Sequence, residues 1–176
     1  MKVKQVIWWV IILFSVDQII KIMIDRYFLD IRFDIIPPLF YFKPTFNHEY
    51  SWINGLFQLG MGFWTHIILF IFISVIFIAL YDFMKTLNGT KLMHIAFIFG
   101  FAGMSCGLIG TIFWNGCLDY VYLKPLFVFD LKDLYVDSFV ILFLVCCFKD
   151  KRLLSIKNKD FVQHFKNRFT NKENGT

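Results

Sequence analysis

Long apolar runs separated by short polar segments dominate the chain. Four of these runs are long enough, or nearly so, to cross the roughly 30 Å hydrocarbon core of a membrane as helices. We predict membrane spans over residues 5–25, from Trp64 to about Phe83, from Met93 to about Phe113, and over Leu134–Phe148. Lys2 and Lys4 precede the first run, which lacks a small-residue cleavage site, so we expect an uncleaved helix rather than a removed signal peptide.

The stretch between the first two spans has a different pattern. Pro37, Pro38 and Pro44 break helices there, and the sequence DIIPPLFYFKPTF favours short strands and turns. Its aromatic side chains are typical of a membrane–water interface. The predicted fold is an all-α membrane protein with four transmembrane helices. A small extracytoplasmic β-rich segment is expected at the membrane surface between helices 1 and 2.

Composition supports the membrane assignment and adds an orientation. The 176 residues are 58% hydrophobic, more apolar than a soluble domain of this length. With four spans, Lys2, Lys4, Lys85, Lys91 and the basic tail all lie on one side, which the positive-inside rule makes cytoplasmic. Both termini are then cytoplasmic. We divide the chain into a membrane domain (1–148) and a cytoplasmic tail (149–176), which is expected to be an amphipathic helix or disordered. The net charge of the whole chain, +5, indicates anionic lipid as partner, not nucleic acid.

The residues that commonly bind metals lack a metal-binding pattern. Four cysteines show no CxxC spacing. His48-Glu49 begins a possible HExxH zinc motif, but Trp52 stands where the second histidine belongs. We therefore predict no metal and no cofactor.

One ion pair is expected inside the first span. Asp17 and Lys21 are four residues apart and share a helix face. Charged groups within a membrane helix are costly, so such a pair is a functional or packing site by default. The alternative is a pair near the outer interface that reaches water.

Three acids follow the third span: Asp119, Asp130 and Asp133. We predict that Asp119 and Asp133 meet at the outer membrane surface as a carboxylate pair, the alternative being three solvated loop acids. Two carboxyls that share a proton can activate a water molecule and protonate a leaving amine. Because Asp133 begins the fourth helix, the helix dipole favours its charged form. We therefore expect Asp133 to be the more acidic partner and Asp119 to hold the proton.

These motifs resemble those of the lipoprotein signal peptidase family, signal peptidase II, over roughly residues 10–148. Asp17-Gln18-Ile19-Ile20-Lys21 is similar to the family's D-Q-x-x-K, and Asn47 matches the Asn of N-x-G-A-A-F. Leu118-Asp119 resembles V-V-D, and the run FDLKD at 129–133 resembles F-N-x-A-D. Family members are four-helix membrane aspartyl peptidases that cut before a lipid-modified cysteine. The resemblance implies catalytic roles for Asp119 and Asp133.

The resemblance also implies supporting roles and a place of action. Asp17, Lys21, Asn47 and Asp130 would position the substrate or support the site. The expected protein is a monomeric, multi-pass endopeptidase of the bacterial cytoplasmic membrane that acts on prolipoproteins.

Several positions depart from the family pattern, and Glu49-Tyr50-Ser51-Trp52 does not match the rest of N-x-G-A-A-F. Gly107, Gly110 and Thr111 replace the family's Asn, Asp and Arg, and Asp130 replaces an Asn. These losses leave a second hypothesis, a catalytically silent homologue that binds lipoproteins or another membrane partner.

Overall fold

The fold is a helical bundle that carries a four-stranded sheet at one end. The structure, a computed structural model, describes residues 1–50, 52–87, 89–114, 116–150, 153 and 158–173. The helices are α1 (Val3–Met23, continued by a wider π turn over Ile24–Phe28), α2 (Trp52–Phe57), α3 (Phe63–Thr86), α4 (Lys91–Phe113), α5 (Leu131–Lys149) and α6 (Asn158–Glu173). The strands are β1 (Phe33–Ile36), β2 (Phe40–Asn47), β3 (Cys117–Leu123) and β4 (Phe127–Phe129).

Three of the predicted spans are confirmed as helices of sufficient length. Within the described residues, α1 with its continuation, α3 and α4 are long and apolar enough to cross a membrane. The fourth predicted span corresponds to α5, which has 19 residues. Its first two turns carry Lys132, Asp133 and Asp137, so composition alone does not mark it as a span. The four-span count therefore stays a prediction.

Helix α4 is the central helix of the bundle and packs against α1, α3 and α5. Of the most apolar 18-residue stretch of α4, 56% is buried, whereas the corresponding stretches of α1 and α3 are each 17% buried. Glycine permits close packing between α4 and α5: a Cβ atom on Gly103 would lie 2.8 Å from Val136 Cγ2 and 3.2 Å from the carbonyl oxygen of Lys132. Small residues at a helix–helix contact allow the two backbones to approach closely.

Aromatic rings hold the other end of the bundle together. Phe77 of α3 lies 4.9 Å from the ring of Phe97 on α4 and 4.8 Å from that of Phe139 on α5. The tail forms α6, and Phe161 packs edge-to-face on Phe83 at 5.2 Å. The predicted tail helix is thus present and contacts the end of α3. Lys151 and Arg152, expected at the membrane edge, lie outside the described residues.

The sheet joins two distant parts of the chain. Its strands are antiparallel in the order β1-β2-β3-β4, and β2 pairs with β3 so that Thr45 lies opposite Asp119. Strands between the first two helices were predicted, whereas β3 and β4, between α4 and α5, were not. Because one sheet contains both segments, the α1–α3 and α4–α5 connections lie at the same end of the bundle.

Candidate active site

Asp119 lies on β3 beside the predicted asparagine. The residue is 5% exposed, and its Oδ2 lies 3.5 Å from Asn47 Nδ2. Asn47 is itself oriented because its Oδ1 accepts a hydrogen bond from the Glu49 N–H at 3.0 Å. The β2–β3 pairing therefore brings together two residues that are 72 positions apart.

Asp130 and Asp133 fix each other at the start of α5. Asp130 is the N-cap, and its Oδ1 accepts a hydrogen bond from the Asp133 N–H at 3.2 Å. Asp133 Oδ2 accepts one from the Asp130 N–H at 3.1 Å. This reciprocal capping box satisfies helix N–H groups that would otherwise lack partners. It also fixes where the Asp133 carboxylate points.

Lys132 joins the three carboxylates into what we call the dyad cluster (Asp119, Asp130, Lys132 and Asp133). Its Nζ lies 2.9 Å from Asp119 Oδ1, 3.0 Å from Asp130 Oδ1 and 3.4 Å from Asp133 Oδ2. One oxygen from each acid lies within 4.8 Å of the others. Asp119 and Asp133 thus meet as predicted. The ammonium group supplies the positive charge that carboxylates at this spacing require, and the prediction that no metal binds stays untested.

A second group, the anchor cluster (Asp17, Lys21 and Asp130), lies beneath the first. Lys21 Nζ is 3.0 Å from Asp17 Oδ2 and 2.7 Å from Asp130 Oδ2. Asp17 is 0% exposed and Lys21 is 1% exposed. The alternative in which this pair reaches water is therefore wrong. Asp130 belongs to both clusters, so an unbroken series of ion pairs runs from α1 to the dyad.

Burial and neighbouring charges shift the pKa values of the three acids in the dyad cluster in different directions. Burial, aided by the charges of Asp130 and Asp119 and opposed by Lys132, raises the pKa of Asp133 to about 7. Burial also raises the pKa of Asp119, although Lys132 opposes the shift. Burial acts the same way on Asp130, but the Lys132 and Lys21 ammonium groups outweigh it and hold that pKa below its usual value.

The expected assignment of the proton is therefore reversed. The raised pKa makes Asp133 the proton-holding partner, and the ammonium of Lys132 lies closer to Asp119 than to Asp133. The helix dipole was expected to make Asp133 the stronger acid. It is outweighed because the carboxyl is partly desolvated between two other carboxylates.

The dyad opens into a cleft of about 390 Å³. Polar groups line one part of it, including Asn47, Asp119 and Asp133. Apolar side chains line the rest: Phe70, Met104, Phe127, Val128 and Val136. A mostly apolar cleft with a few convergent polar groups is the usual form of a site for a small ligand or a peptide segment.

The three departures on α4 do not supply polar groups to the dyad. A Cβ on Gly107 would lie 2.9 Å from the Phe70 ring, and one on Gly110 would lie 3.7 Å from Cys117 Sγ. Thr111 is buried, and its Oγ1 donates to the Gly107 carbonyl at 3.0 Å. The charged groups around the dyad come instead from α1 and α5.

Sequence reasoning missed two residues of this region. Lys132 stands where the F-N-x-A-D motif has Ala, and a cation directly between Asp130 and Asp133 was the available signal. Asn54 is 1% exposed; its Nδ2 donates to the carbonyls of Glu49 and Met61, each at 3.0 Å, and its Oδ1 accepts from the Met61 N–H. It thereby closes the loop beside the cleft, and nothing in the local sequence pattern indicated this.

The fold and site together define a class: a membrane helical bundle with a carboxylate pair where its sheet meets the last helix. The profile of the signal peptidase (SPase) II family matches residues 9–149. The chain therefore belongs to the signal peptidase II family, an aspartyl protease family of membrane enzymes that process lipoproteins. The family assignment made from the sequence motifs is confirmed.

Solved structures agree with the fold. One, described as a bacterial membrane enzyme structure by the in meso method at 2.3 Å resolution, has a TM-score of 0.68 at 17% identity; the match covers 85% of this chain and 90% of that one. A second, at 1.9 Å resolution, has a TM-score of 0.66 at 18% identity and covers 84% and 95%. A comparison with curated proteins finds no match.

Proposed function

We propose that this protein is an aspartyl endopeptidase that removes signal peptides from prolipoproteins. One observation carries the proposal: Asp119 and Asp133, from a strand and a helix start, converge on a single ammonium group at 2.9 and 3.4 Å. Two carboxyls with unequal proton affinities are what acid–base hydrolysis of a peptide bond requires.

The proposed reaction uses the two acids in opposite roles. The Asp119 carboxylate accepts a proton from a water molecule while the water oxygen attacks the scissile carbonyl carbon. Asp133, protonated because of its raised pKa, donates a proton to the leaving nitrogen as the C–N bond breaks. The products are a carboxylic acid and an amine. Proton transfer from Asp119 to Asp133 through solvent restores the starting state.

The cleft fits a peptide flanked by lipid. Its apolar side chains suit the hydrophobic part of a signal peptide, and the Asn47 amide, beside Asp119, is placed to orient a substrate backbone. Asp17, Lys21 and Asp130 support the site from below rather than touching substrate, because each is 1% exposed or less.

We place the protein in the bacterial cytoplasmic membrane as a monomer with four spans, both termini in the cytoplasm. The fourth span is the apolar part of α5, Leu134–Phe148, which leaves Lys132 and Asp133 at its outer end. A probe cysteine at Lys124, in the β3–β4 turn, should then react with an impermeant thiol reagent from outside. One at Lys85, at the end of α3, should not. The reverse pattern would contradict this topology.

The decisive experiment is cleavage of a diacylated prolipoprotein, and of the unlipidated precursor, by purified protein in lipid. Asp119→Asn and Asp133→Asn should each lower the rate by at least about 100-fold, since general acid–base groups contribute roughly 10²–10⁴-fold. Asp34→Asn, on the exposed strand β1, is the matched control and should cleave like wild type. Persisting cleavage in both dyad variants would exclude the aspartyl mechanism.

A specific observation also favours the second hypothesis, a silent homologue that binds lipoproteins. Lys132 contacts both acids, and Gly107, Gly110 and Thr111 lack the family's polar groups. In that case the wild-type protein would bind the precursor in a pull-down from lipid nanodiscs without ever cleaving it.

A further inference from the structure

The Lys132 ammonium group lies close to both acids of the dyad. In a simple carboxylate pair, a shared proton takes this place. Its Nζ contacts Asp119 Oδ1 at 2.9 Å and Asp133 Oδ2 at 3.4 Å, and its side chain is 12% exposed. An ammonium group this close to two carboxylates favours the charged form of each. The ammonium group therefore reduces the repulsion between the two carboxylates, as a shared proton does in a pair without a neighbouring cation.

The contacts leave one oxygen of each catalytic acid for other partners. Lys132 pairs with Oδ1 of Asp119, while Oδ2 lies 3.5 Å from Asn47 Nδ2. Oδ2 of Asp133 lies near Lys132 and accepts the Asp130 N–H. Within the described residues no hydrogen bond to Oδ1 of Asp133 is found. The ammonium thus restrains both carboxylates without using every acceptor.

The backbone holds Lys132 in place. It is the second residue of α5, between the two capping-box residues Asp130 and Asp133, and its carbonyl oxygen lies against Gly103 of α4. The side chain also pairs with Asp130 Oδ1 at 3.0 Å. The charged or titratable groups facing it come from three elements: Asp119 and Cys117 on β3, Asp130, Asp133 and Asp137 around the start of α5, and Lys21 on α1.

We propose that Lys132 is a positioning residue of the dyad, whose ammonium holds the two carboxylates at working distance and keeps Asp119 ionised as the base. This inference rests on the proposed peptidase function. Lys132 keeps its own proton throughout, since nearby carboxylates hold its pKa well above its usual value against the effect of burial. The proton delivered to the leaving nitrogen comes from Asp133, so the reaction balances as written above.

The test is the pH dependence of cleavage by wild type, Lys132→Ala, Lys132→Arg and Lys124→Ala. Removing a cation raises the pKa of both acids, so the whole bell-shaped profile of Lys132→Ala should move to higher pH by at least about one unit. Lys132→Arg keeps the charge and should retain the wild-type profile. Lys124, in the β3–β4 turn away from the acids, is the matched control and should also leave it unchanged.

Lys132→Ala should still fold, because the 2.7 Å pair between Asp130 and Lys21 does not involve Lys132. Alanine also favours the helix in which it would stand. Thermal unfolding in detergent checks each variant. A Lys132→Ala enzyme that is folded, cleaves, and has an unshifted profile would overturn the inference while leaving the proposed function intact.

A second measurement does not depend on activity. In protein labelled with ¹³C at aspartate carboxyl carbons, the Asp119 resonance, assigned with Asp119→Asn, should titrate at higher pH in Lys132→Ala than in wild type. If wild type never cleaves, the proposed function fails and this titration alone decides the role of Lys132. An unmoved Asp119 titration would overturn it.

Discussion

Two lysines in this protein each bind several carboxylates, and the two sites differ chiefly in their access to water. In the anchor cluster, Lys21 pairs with Asp17 and Asp130, and all three side chains are 1% exposed or less. In the dyad cluster, Lys132 is 12% exposed and Asp133 is 38% exposed. The first cluster is sealed inside the bundle, and the second opens into the cleft.

Clusters of a lysine with several carboxylates can thus be buried supports of the fold in one place and accessible to water and ligands in another. A buried ion pair must remain intact, because removing one partner leaves an uncompensated charge in a medium that cannot solvate it. A carboxylate that water reaches can exchange protons with solvent and substrate. Asp130, shared by both clusters, couples the position of the dyad to α1.

The largest expected effect is a loss of stability when the anchor cluster is broken. Lys21→Met leaves Asp17 without the ammonium group it pairs with, and should destabilise the protein by about 3–5 kcal/mol. Lys124→Met, at an exposed turn, should stay within about 0.5 kcal/mol. Reversible unfolding in detergent measures both. Equal stabilities would mean that water reaches Lys21 and that the two clusters do not differ as described.

A second prediction concerns the helix contact that positions the dyad cluster. Gly103→Val places a branched side chain where Val136 and the Lys132 carbonyl already lie, 2.8 and 3.2 Å from the new Cβ. Such overpacking should cost about 1–3 kcal/mol and slow cleavage by displacing the start of α5.

A matched variant on the same helix is Gly110→Ala. Its new Cβ would meet its nearest atoms at 3.5 and 3.7 Å, so little change in unfolding is expected. If both variants unfold alike, close packing at Gly103 is not what holds the dyad in place.

The acids of the dyad cluster should determine the pH dependence of cleavage by the wild-type enzyme. Cleavage should decline as pH rises through about 7, since Asp133 then loses the proton it donates. It should also decline at low pH, below the raised pKa of Asp119, because the base is protonated there. Initial rates across the pH range test this, and a rate that stays flat from neutral to alkaline pH would contradict the role of Asp133.

The same shift makes a prediction about stability. Because the folded pKa of Asp133 lies above the unfolded value of about 3.9, its contribution to stability is fully present below that value and is lost as pH rises through about 7. Asp133→Asn should remove this component from the pH dependence of unfolding.

The smallest effect on cleavage is expected at Asp130, because without its charge Lys21 still pairs with Asp17, and Lys132 still pairs with Asp119 and Asp133. Asp130→Asn restores the family residue, keeps an N-cap acceptor, and should preserve or improve cleavage. It removes a negative neighbour that raises the pKa of Asp119 and Asp133, so the profile should move to lower pH, opposite to Lys132→Ala. Asp34→Asn serves as control. A shift to higher pH would show that Asp130 acts on the dyad by some means other than its charge.

Much of the bundle was predictable because lipid-facing helices must be apolar along their whole length. The apolar runs therefore located α1, α3 and α4 to within a few residues. The fourth helix was placed by its apolar residues from Leu134 onward, while the charges at Lys132, Asp133 and Asp137 obscure its start. Strand β3 was missed because its partner β2 lies some 70 residues earlier, and strand pairing at that distance leaves no periodic trace.

The site was predictable in its members more than in its electrostatics. The motifs identified Asp17, Lys21, Asn47, Asp119, Asp130 and Asp133. The structure brings the four acids and Lys21 into the two linked clusters and places Asn47 beside Asp119. Lys132 was overlooked although its place between Asp130 and Asp133 was a signal, because the sequence does not show that its side chain also reaches Asp119 on β3. The direction of proton sharing was also wrong, since it was argued from the helix dipole without knowledge of burial.

The amino-acid sequence was enough to identify a membrane protein, to locate α1, α3 and α4, and to assign the family. These properties follow from hydropathy and from short motifs, both of which are local along the chain. The packed fold shows that Lys21 is buried while Lys132 faces the cleft, and that burial raises the pKa of Asp133 despite the helix dipole. Burial and distances between charges set those outcomes, and both arise only when β2, β3, α1 and α5 meet.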